Sequence, residues 1–374
     1  MLGEHLNVKC DDCQFLFPID GNLVPASNFA VCPLCGYPKN NFSKQAAKAS
    51  KLVDLEEISH SGNRQLIKRW TAVGFASNNQ TSDKKFLVKR IVGLPGENIR
   101  ISSGNVIVNE ELSIKPSHIN LQTEQLIFDS KFTFEEMNRL WESSGEEAWR
   151  LDPNNGAFYL TLDQQQEIES SFAFRPIRGY RHQQNRFATT PIQDSCSYNQ
   201  NVARKLNRVS EVAVELDFAN VNQSKGLLEI KLSSDSKSLT VDFTNRKFWI
   251  ETRPPVGFPR DSNRSLRLRF DNYDGLLKVM AYGKTLQKLN APRRSADFAQ
   301  ICLSSQYGSI QISRIRILRD IYYFNLNQAD ESIQLGEGEY FVLGDNPPIS
   351  IDSRTFGPIH HSQVFGTVQT GNPK

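Results

Sequence analysis

The sequence predicts a mainly β protein in which an antiparallel β-sandwich is inserted into a second β core, with a zinc ribbon ahead of both. Three observations carry this prediction. Two CxxC pairs open the chain, seven short alternating strands fill 204–326, and strand patterns with Gly-rich turns stand on either side of that run. The predicted division is a ribbon over 1–42, a linker or short helix over 43–60 and the first part of the core over 61–114. An irregular insertion with a short helix then covers 115–203, the sandwich 204–326 and the closing part of the core 327–374. A chain of 374 residues is long enough for two or three domains.

Cys10, Cys13, Cys32 and Cys35 form two CxxC knuckles separated by 18 residues. Each knuckle aims two sulfurs at one point, so the spacing fits tetrahedral coordination of structural zinc, with no open position for a substrate. The competing readings are a disulfide pair or free thiols, and no export signal argues for an oxidising compartment. Pro33 and Gly36 supply the turn of the second knuckle. Cys196 and Cys302 stand alone and read as small buried apolar residues.

The stretch 44–58 is rich in Ala, Leu, Lys and Glu and reads as a short helix or linker. Strands follow at Ala72–Phe75 and Phe86–Val92, and Ile99 to Val108 reads as a hairpin around Ser102-Ser-Gly-Asn105. Thr133 to Glu136 has capping-box spacing and predicts a helix carrying Met137, Leu140 and Trp141, stopped at Gly145. The sandwich strands are 212–218, 227–232, 238–243, 247–251, 265–270, 276–282 and 312–318. Leu266, Leu268 and Phe270 alternate with arginines, and Asp271 to Gly275 makes a turn.

Charge and hydropathy exclude some functions. Apolar residues are 39% and charged residues 23% of the chain, as in globular proteins, and the net charge of +3 gives no reason to expect a nucleic-acid partner. The N-terminus has no apolar core or cleavage site of a signal peptide, and no apolar run approaches the ~18 residues of a transmembrane segment. A soluble cytoplasmic chain is expected, with membrane association left to peripheral contact.

Two stretches carry candidate chemistry. In the strand Phe86–Gly93, Lys89 shares a face with Leu87 and Ile91. Desolvation there would lower the pKa of the ammonium and make a neutral amine, a general base, accessible near neutral pH. Periodicity alone equally allows a solvated edge lysine. Pro95 and Gly96 form a rigid turn after the strand. Near the C-terminus, Tyr340 to Leu343 runs into a Gly-Asp-Asn turn, and in an extended continuation Ser350, Asp352 and Arg354 fall on one side. Asp352 and Arg354 could pair and hold the loop, leaving Ser350 to bond another group. The bland alternative is a structural turn with an exposed ion pair.

The segment VKRIVGLPGENIRISSGNVIVN resembles the part of signal peptidase I (peptidase S26) that bears the lysine base and its following hairpin. GEYFVLGDNPPISIDSRTFGPI resembles the closing motif of the same family. The resemblance covers about 61–114 and 331–374 and implies a signal peptidase-type β core and a Ser/Lys serine endopeptidase. It implies Lys89 as general base and Ser350 as the hydroxyl that orients its amine. Asp352 and Arg354 would be the supporting ion pair, and Asp345 part of the turn. The family's Ser-Met-x-Pro nucleophile segment is absent, and Asp54 stands eight positions before Gly62, where that serine is expected. Ser59 and Ser61 are the nearest hydroxyls. Pro347-Pro-Ile349 replaces the family's Arg-Asp-Asn, and its membrane anchor has no counterpart.

The strand pair SLRLRFDNYDGLLKVMAYGKTL resembles a laminin-G or concanavalin-like sandwich, a fold that binds glycans or proteins or serves as scaffold. The whole arrangement resembles signal peptidase-like proteins of planctomycete bacteria. Two functions follow as expectations. One is a signal peptidase I-like endopeptidase, impaired by the missing serine segment and using Ser59 or Ser61. The other is a non-catalytic relative, a pseudoenzyme, that binds extended polypeptides such as signal peptides at the core, or glycans at the sandwich.

Overall fold

In the computed structural model the described residues are 4–44, 55–57, 67–77, 85–133, 137–144, 149–152, 154–162, 170–174, 191–233, 238–260, 262, 264–291, 299–305, 307–325 and 331–368. The architecture is mainly β, with antiparallel pairing between its strands. Two compact units form: Met1–Glu4 with Ala49–Thr123 and Ile321–Lys374, and His5–Lys48 with Glu124–Asp320.

The first unit holds the predicted core. Its larger sheet runs in the order Ile359–His360, Glu339–Leu343, Lys85–Gly93, Ala72–Ser77, Val364–Val368 and Leu55–Glu57. The smaller sheet runs Glu111–Leu112, Asn105–Val108, Asn98–Ser102 and Ile333–Gln334. Alternation along Lys85–Gly93 sends Leu87 and Ile91 into a cluster with Val73, Phe75, Val342 and Ile359. Val92 points the other way, into a cluster with Trp70, Ile99, Ile101, Phe341 and Leu343. The hairpin turns on two residues, since Ser102 pairs with Asn105. Ser103 (φ 51°) and Gly104 (φ 95°) both adopt the left-handed conformation that a primed two-residue turn requires. Tyr322 lies where a side chain on Gly104 would go, with a Cβ there only 2.5 Å from its ring.

The linker reading of 43–60 needs correction at its end. Leu55–Glu57 is a strand, because the edge of Val364–Val368 offers it a hydrogen-bonding partner that a sparse apolar pattern could not supply to a helix. Ser117–Thr123 is a helix that the pattern did not signal; it opens after Pro116, whose carbonyl accepts from both Ile119 and Asn120.

The second unit contains a β-sandwich. One sheet carries Trp149–Leu151, Phe158–Leu162, Gly308–Arg319, Val212–Ala219, Ser265–Tyr273, Leu276–Ala281 and Lys284–Asn290. The other carries Trp141–Ser144, Ser170–Phe174, Ala299–Ser305, Lys225–Ser233, Ser238–Asp242, Lys247–Ile250 and Val256–Gly257. The sheets join where Lys225 and Gly226 pair with Ser309 and Gly308. A Cβ on Gly226 or Gly308 would sit 2.2 or 2.4 Å from a backbone oxygen of the opposing chain, so both positions require glycine. Phe218, Leu216, Leu268, Phe270, Ile315 and Ile317 form part of the buried interior.

The sandwich therefore begins earlier than position 204. Gln125–Asp129 pairs with Arg316–Arg319, and Phe158–Leu162 with Gly308–Ile312, so the described residues of the supposedly irregular 115–203 contribute strands to the sheet. The predicted helix after Thr133 is a single 3-10 turn, Met137–Leu140, followed by the strand Trp141–Ser144. Burial of Trp141 edge-on against Phe128 and Phe158, at 5.7 and 5.3 Å between ring centroids, outweighs the helical pattern. The strand after Leu266 continues to Tyr273, and the turn narrows to Asp274 (φ 52°) and Gly275 (φ 67°). Of the arginines that alternate there, Arg267 is exposed and pairs with Asp217, whereas Arg269 is buried between Glu124, Glu215 and Asp271.

The cysteine segment belongs to this second unit. Two short hairpins, His5–Lys9 with Leu16–Asp20 and Phe29–Ala30 with Asn40–Asn41, flank the knuckles. The Gln200 side chain clamps the second knuckle, accepting from Val31 N and donating to Val31 O, both at 2.7 Å. No helix among the described residues is long and apolar enough to cross a membrane.

Candidate active site

The strand Lys85–Gly93 pairs with Ala72–Ser77 from Lys85 to Arg90, and with Glu339–Leu343 from Arg90 to Gly93. Gly344 therefore leaves the sheet beside Lys89. A Cβ on Gly344 would lie 2.0 Å from Ser350 Oγ and 3.2 Å from Lys89 Nζ, so the absence of a side chain is what lets the two groups meet. Lys89 Nζ donates to Ser350 Oγ at 2.9 Å. Burial holds the Lys89 pKa below its ordinary value of 10.5. The Arg354 charge acts in the same direction, while Asp352 and Asp345 act against it.

Ser350 reaches the lysine by a turn, which corrects the extended continuation expected from alternation. Ile349 N and Ser350 N both donate to Asn346 O, at 3.3 and 3.1 Å. The chain then enters the short helix Ser353–Phe356, which Asp352 caps by accepting from Arg354 N. Asp352 Oδ2 also accepts from Gly344 N at 3.0 Å, and Ser353 Oγ accepts from Val342 N at 2.9 Å. The loop is thereby tied to the strand it left.

Asp352 and Arg354 form a bidentate pair, with Nε to Oδ1 and Nη2 to Oδ2 both at 2.8 Å. Their side chains are 0% and 2% exposed, so the pair is buried, unlike the exposed ion pair of the bland alternative. Arg354 also donates to Phe324 O and Pro347 O, each at 2.9 Å. Asp345 accepts two bonds from the Arg90 guanidinium, at 2.9 and 2.7 Å, and Arg90 donates a third to Trp70 O. The geometry thus brings together Lys89 with Ser350, Asp352 with Arg354, and Asp345 with a residue the motifs had not marked. Arg90 lies next to the lysine on the opposite face, and an arginine alternating with apolar neighbours was its only signal. Phe324 had none. Ser59 and Ser61, as well as Asp54, lie outside the described residues.

The four N-terminal cysteines converge. Their Sγ atoms lie within 4.8 Å of one another, with Cys10 to Cys35 at 3.5 Å and Cys13 to Cys32 at 3.7 Å. Four sulfurs ~2.3 Å from a tetrahedral zinc would be about 3.8 Å apart, so the donor set fits a metal ion. The knuckles are built alike. Cys10 N donates to Phe15 O and Gln14 N to Cys10 O, as Cys32 N donates to Tyr37 O and Gly36 N to Cys32 O. Gln14 (φ 63°) and Gly36 (φ 75°) occupy the same left-handed position. Bonding to Cys13 draws the Cys10 thiol down, and bonding to Cys10 pushes Cys13 and Cys35 up. Four crowded thiols cannot all ionise without a cation among them.

Comparison with known proteins bears on the family of the chain. The chain is 40% identical over 45 residues to "Signal peptidase I V" of Bacillus subtilis (strain 168), a match spanning 12% of this chain and 27% of that protein. Among solved structures, a galectin-like protein of unknown function from Bacillus subtilis aligns with 53% of this chain and 99% of its own, at TM-score 0.34 and 9% identity. The exoplasmic domain of VIP36, in a Ca2+/Man3GlcNAc-bound form, aligns with 56% of this chain and 94% of its own, at TM-score 0.33 and 10% identity. Both are distant likenesses that bear on no ligand. The model of the family "Signal peptidase, peptidase S26" matches residues 41–167 and 304–371, more than half of the chain, and the protein belongs to that family.

Proposed function

We propose that the protein carries a signal-peptidase-type site for extended polypeptides in which the lysine base is intact and hydrolysis is crippled by loss of the Ser-Met-x-Pro segment. The observation that supports this most is the partly buried 2.9 Å bond from Lys89 to Ser350, formed by an amine whose pKa burial lowers. In a working Ser/Lys site the neutral amine takes the hydroxyl proton as the serine oxygen attacks the peptide carbonyl, then returns it to the leaving amine. Lys89, aimed by Ser350, is fitted to that task. The attacking hydroxyl would have to come from Ser59 or Ser61, displaced from the expected position, where Asp54 stands. A carboxylate there would pair with Lys89 and keep it charged.

Fluorescence anisotropy with a labelled peptide ending in an Ala-x-Ala segment tests the reading. Saturable binding with negligible turnover is the expected result. Failure to bind refutes the site. Cleavage abolished by Lys89→Ala refutes the crippled step and promotes Ser59 or Ser61, each assignable by its own alanine variant.

For the N-terminal cluster we infer a structural Zn2+ held by Cys10, Cys13, Cys32 and Cys35, since four thiolates close the coordination sphere. Six unbridged cysteines suit a reducing compartment such as the cytoplasm. The sandwich is best taken as a scaffold, its first sheet braced by the pairs Arg267–Asp217, Arg269–Glu215 and Arg314–Asp129.

A further inference from the structure

The Arg354 guanidinium ties together three stretches that lie within 30 positions of it in the chain. It grips Asp352, whose carboxylate accepts from Gly344 N; it donates to Pro347 O in the loop that carries Ser350; and it donates to Phe324 O. The Phe324 ring lies beneath the cation, 5.7 Å from its centroid. The segment around Phe324 is itself pinned. Tyr323 N donates to Gly104 O at 3.0 Å, and the Tyr322 ring fills the space where a Gly104 side chain would stand. Phe324 thus supplies Arg354 with both a flat surface and an acceptor, from a segment fastened to the Asn98–Val108 hairpin.

We infer that Phe324 is a positioning residue for the Lys89–Ser350 pair, acting through Arg354; this rests on the proposed lysine-base reading of the site. The physical reason is that a buried guanidinium keeps its orientation only while all its faces are occupied. Without the Phe324 ring one face of the guanidinium is open, and its plane can tilt even though Asp352 and the backbone oxygens of Phe324 and Pro347 still accept from it. Once Arg354 tilts, its bond to the Pro347 carbonyl weakens and the loop that presents Ser350 loosens. The charge balance at Lys89 changes with it. Among the described residues, the charged groups that act on this amine are Asp352, Arg354 and Asp345, the last held by Arg90. Withdrawal of the one cation leaves the two carboxylates to favour the ammonium form.

The test reads Lys89 directly and requires no peptidase activity. The full chain is pulse-labelled with trace acetic anhydride across a pH series, and acylation of Lys89 is quantified by mass spectrometry against the exposed lysines. Phe324→Ala and Phe324→Leu should slow Lys89 acylation near pH 8 about three- to tenfold relative to wild type. Phe324→Tyr, which keeps the ring, should leave the profile unchanged. Phe324→Leu preserves apolar volume, so it reports even where the alanine variant fails to fold. A wild-type profile shifted to low pH that neither variant moves overturns the role of Phe324 and leaves the base reading standing. A wild-type Lys89 that labels like the exposed lysines overturns the base reading, and the inference with it.

Discussion

Gly344→Ala isolates the contact on which the site depends. The backbone at Gly344 is not in the left-handed region, so alanine brings no conformational strain and the effect is steric alone. The new Cβ would fall 2.0 Å from Ser350 Oγ and 2.7 Å from Ser350 Cβ, where ordinary contact begins at 3.4 Å. Ser350 must therefore retreat by about 1.4 Å, and the 2.9 Å bond from Lys89 stretches beyond hydrogen-bonding range. The Asn346 carbonyl, which holds Ile349 N and Ser350 N, limits how freely the loop can give way. Overpacking of this kind costs about 1–3 kcal/mol. Hydrogen exchange read on peptides covering Lys85–Gly93 and Glu339–Leu343 should show that loss as faster local opening. Acetic anhydride labelling of Lys89 should change in the same variant, while exposed lysines stay constant. Exchange within about 0.5 kcal/mol of wild type together with unchanged Lys89 labelling would refute the reasoning, because the serine would then not occupy the space beside Gly344.

Three further outcomes are expected. Asp352→Asn strands the Arg354 charge in a site where the two side chains are 0% and 2% exposed, and should destabilise the first unit by about 3–5 kcal/mol in urea titrations; a loss under about 1 kcal/mol would contradict the buried pair. For Lys89, the depressed pKa means that the unfolded chain binds more protons than the folded one between the folded value and 10.5, so stability rises with pH across that window. Lys89→Met should accordingly be more stable than wild type near neutral pH, with the advantage fading across that window and gone above 10.5, and parallel urea-stability curves would count against burial of the amine. Purified protein should carry about one zinc per chain by elemental analysis, and Cys13→Ser should lose the metal and speed hydrogen exchange across His5–Asn41, whereas wild type without stoichiometric metal removes the zinc site.

How much could be read from the sequence depended on the range of the interaction. The strand Lys85–Gly93, its rigid turn and the following hairpin were all legible, because alternation and turn chemistry act over a few residues. So were most sandwich strands after position 212, where apolar alternation repeats between clear turns. Gln125–Asp129 and Trp141–Ser144 escaped because each is short and finds its partner elsewhere: Gln125 pairs with Arg319, and Trp141 with Phe174. Trp141 fitted a helical pattern locally, yet its burial among aromatic rings selected a strand. Arg269 resembled any outward-facing strand arginine until Glu124 and Asp271 were found around it.

The same division holds at the site. Local pattern was enough to place Lys89 between two aliphatic neighbours on a strand, a Gly-Asp-Asn turn ahead of Ser350, and four cysteines at metal-binding spacing. The contact between Lys89 and Ser350, 261 positions apart, and the burial of the Asp352–Arg354 pair came from the tertiary structure. So did the pairing of Arg90 with Asp345 and the place of Phe324 under Arg354. Hydrogen bonds and burial depend on distances between segments, which no local periodicity encodes.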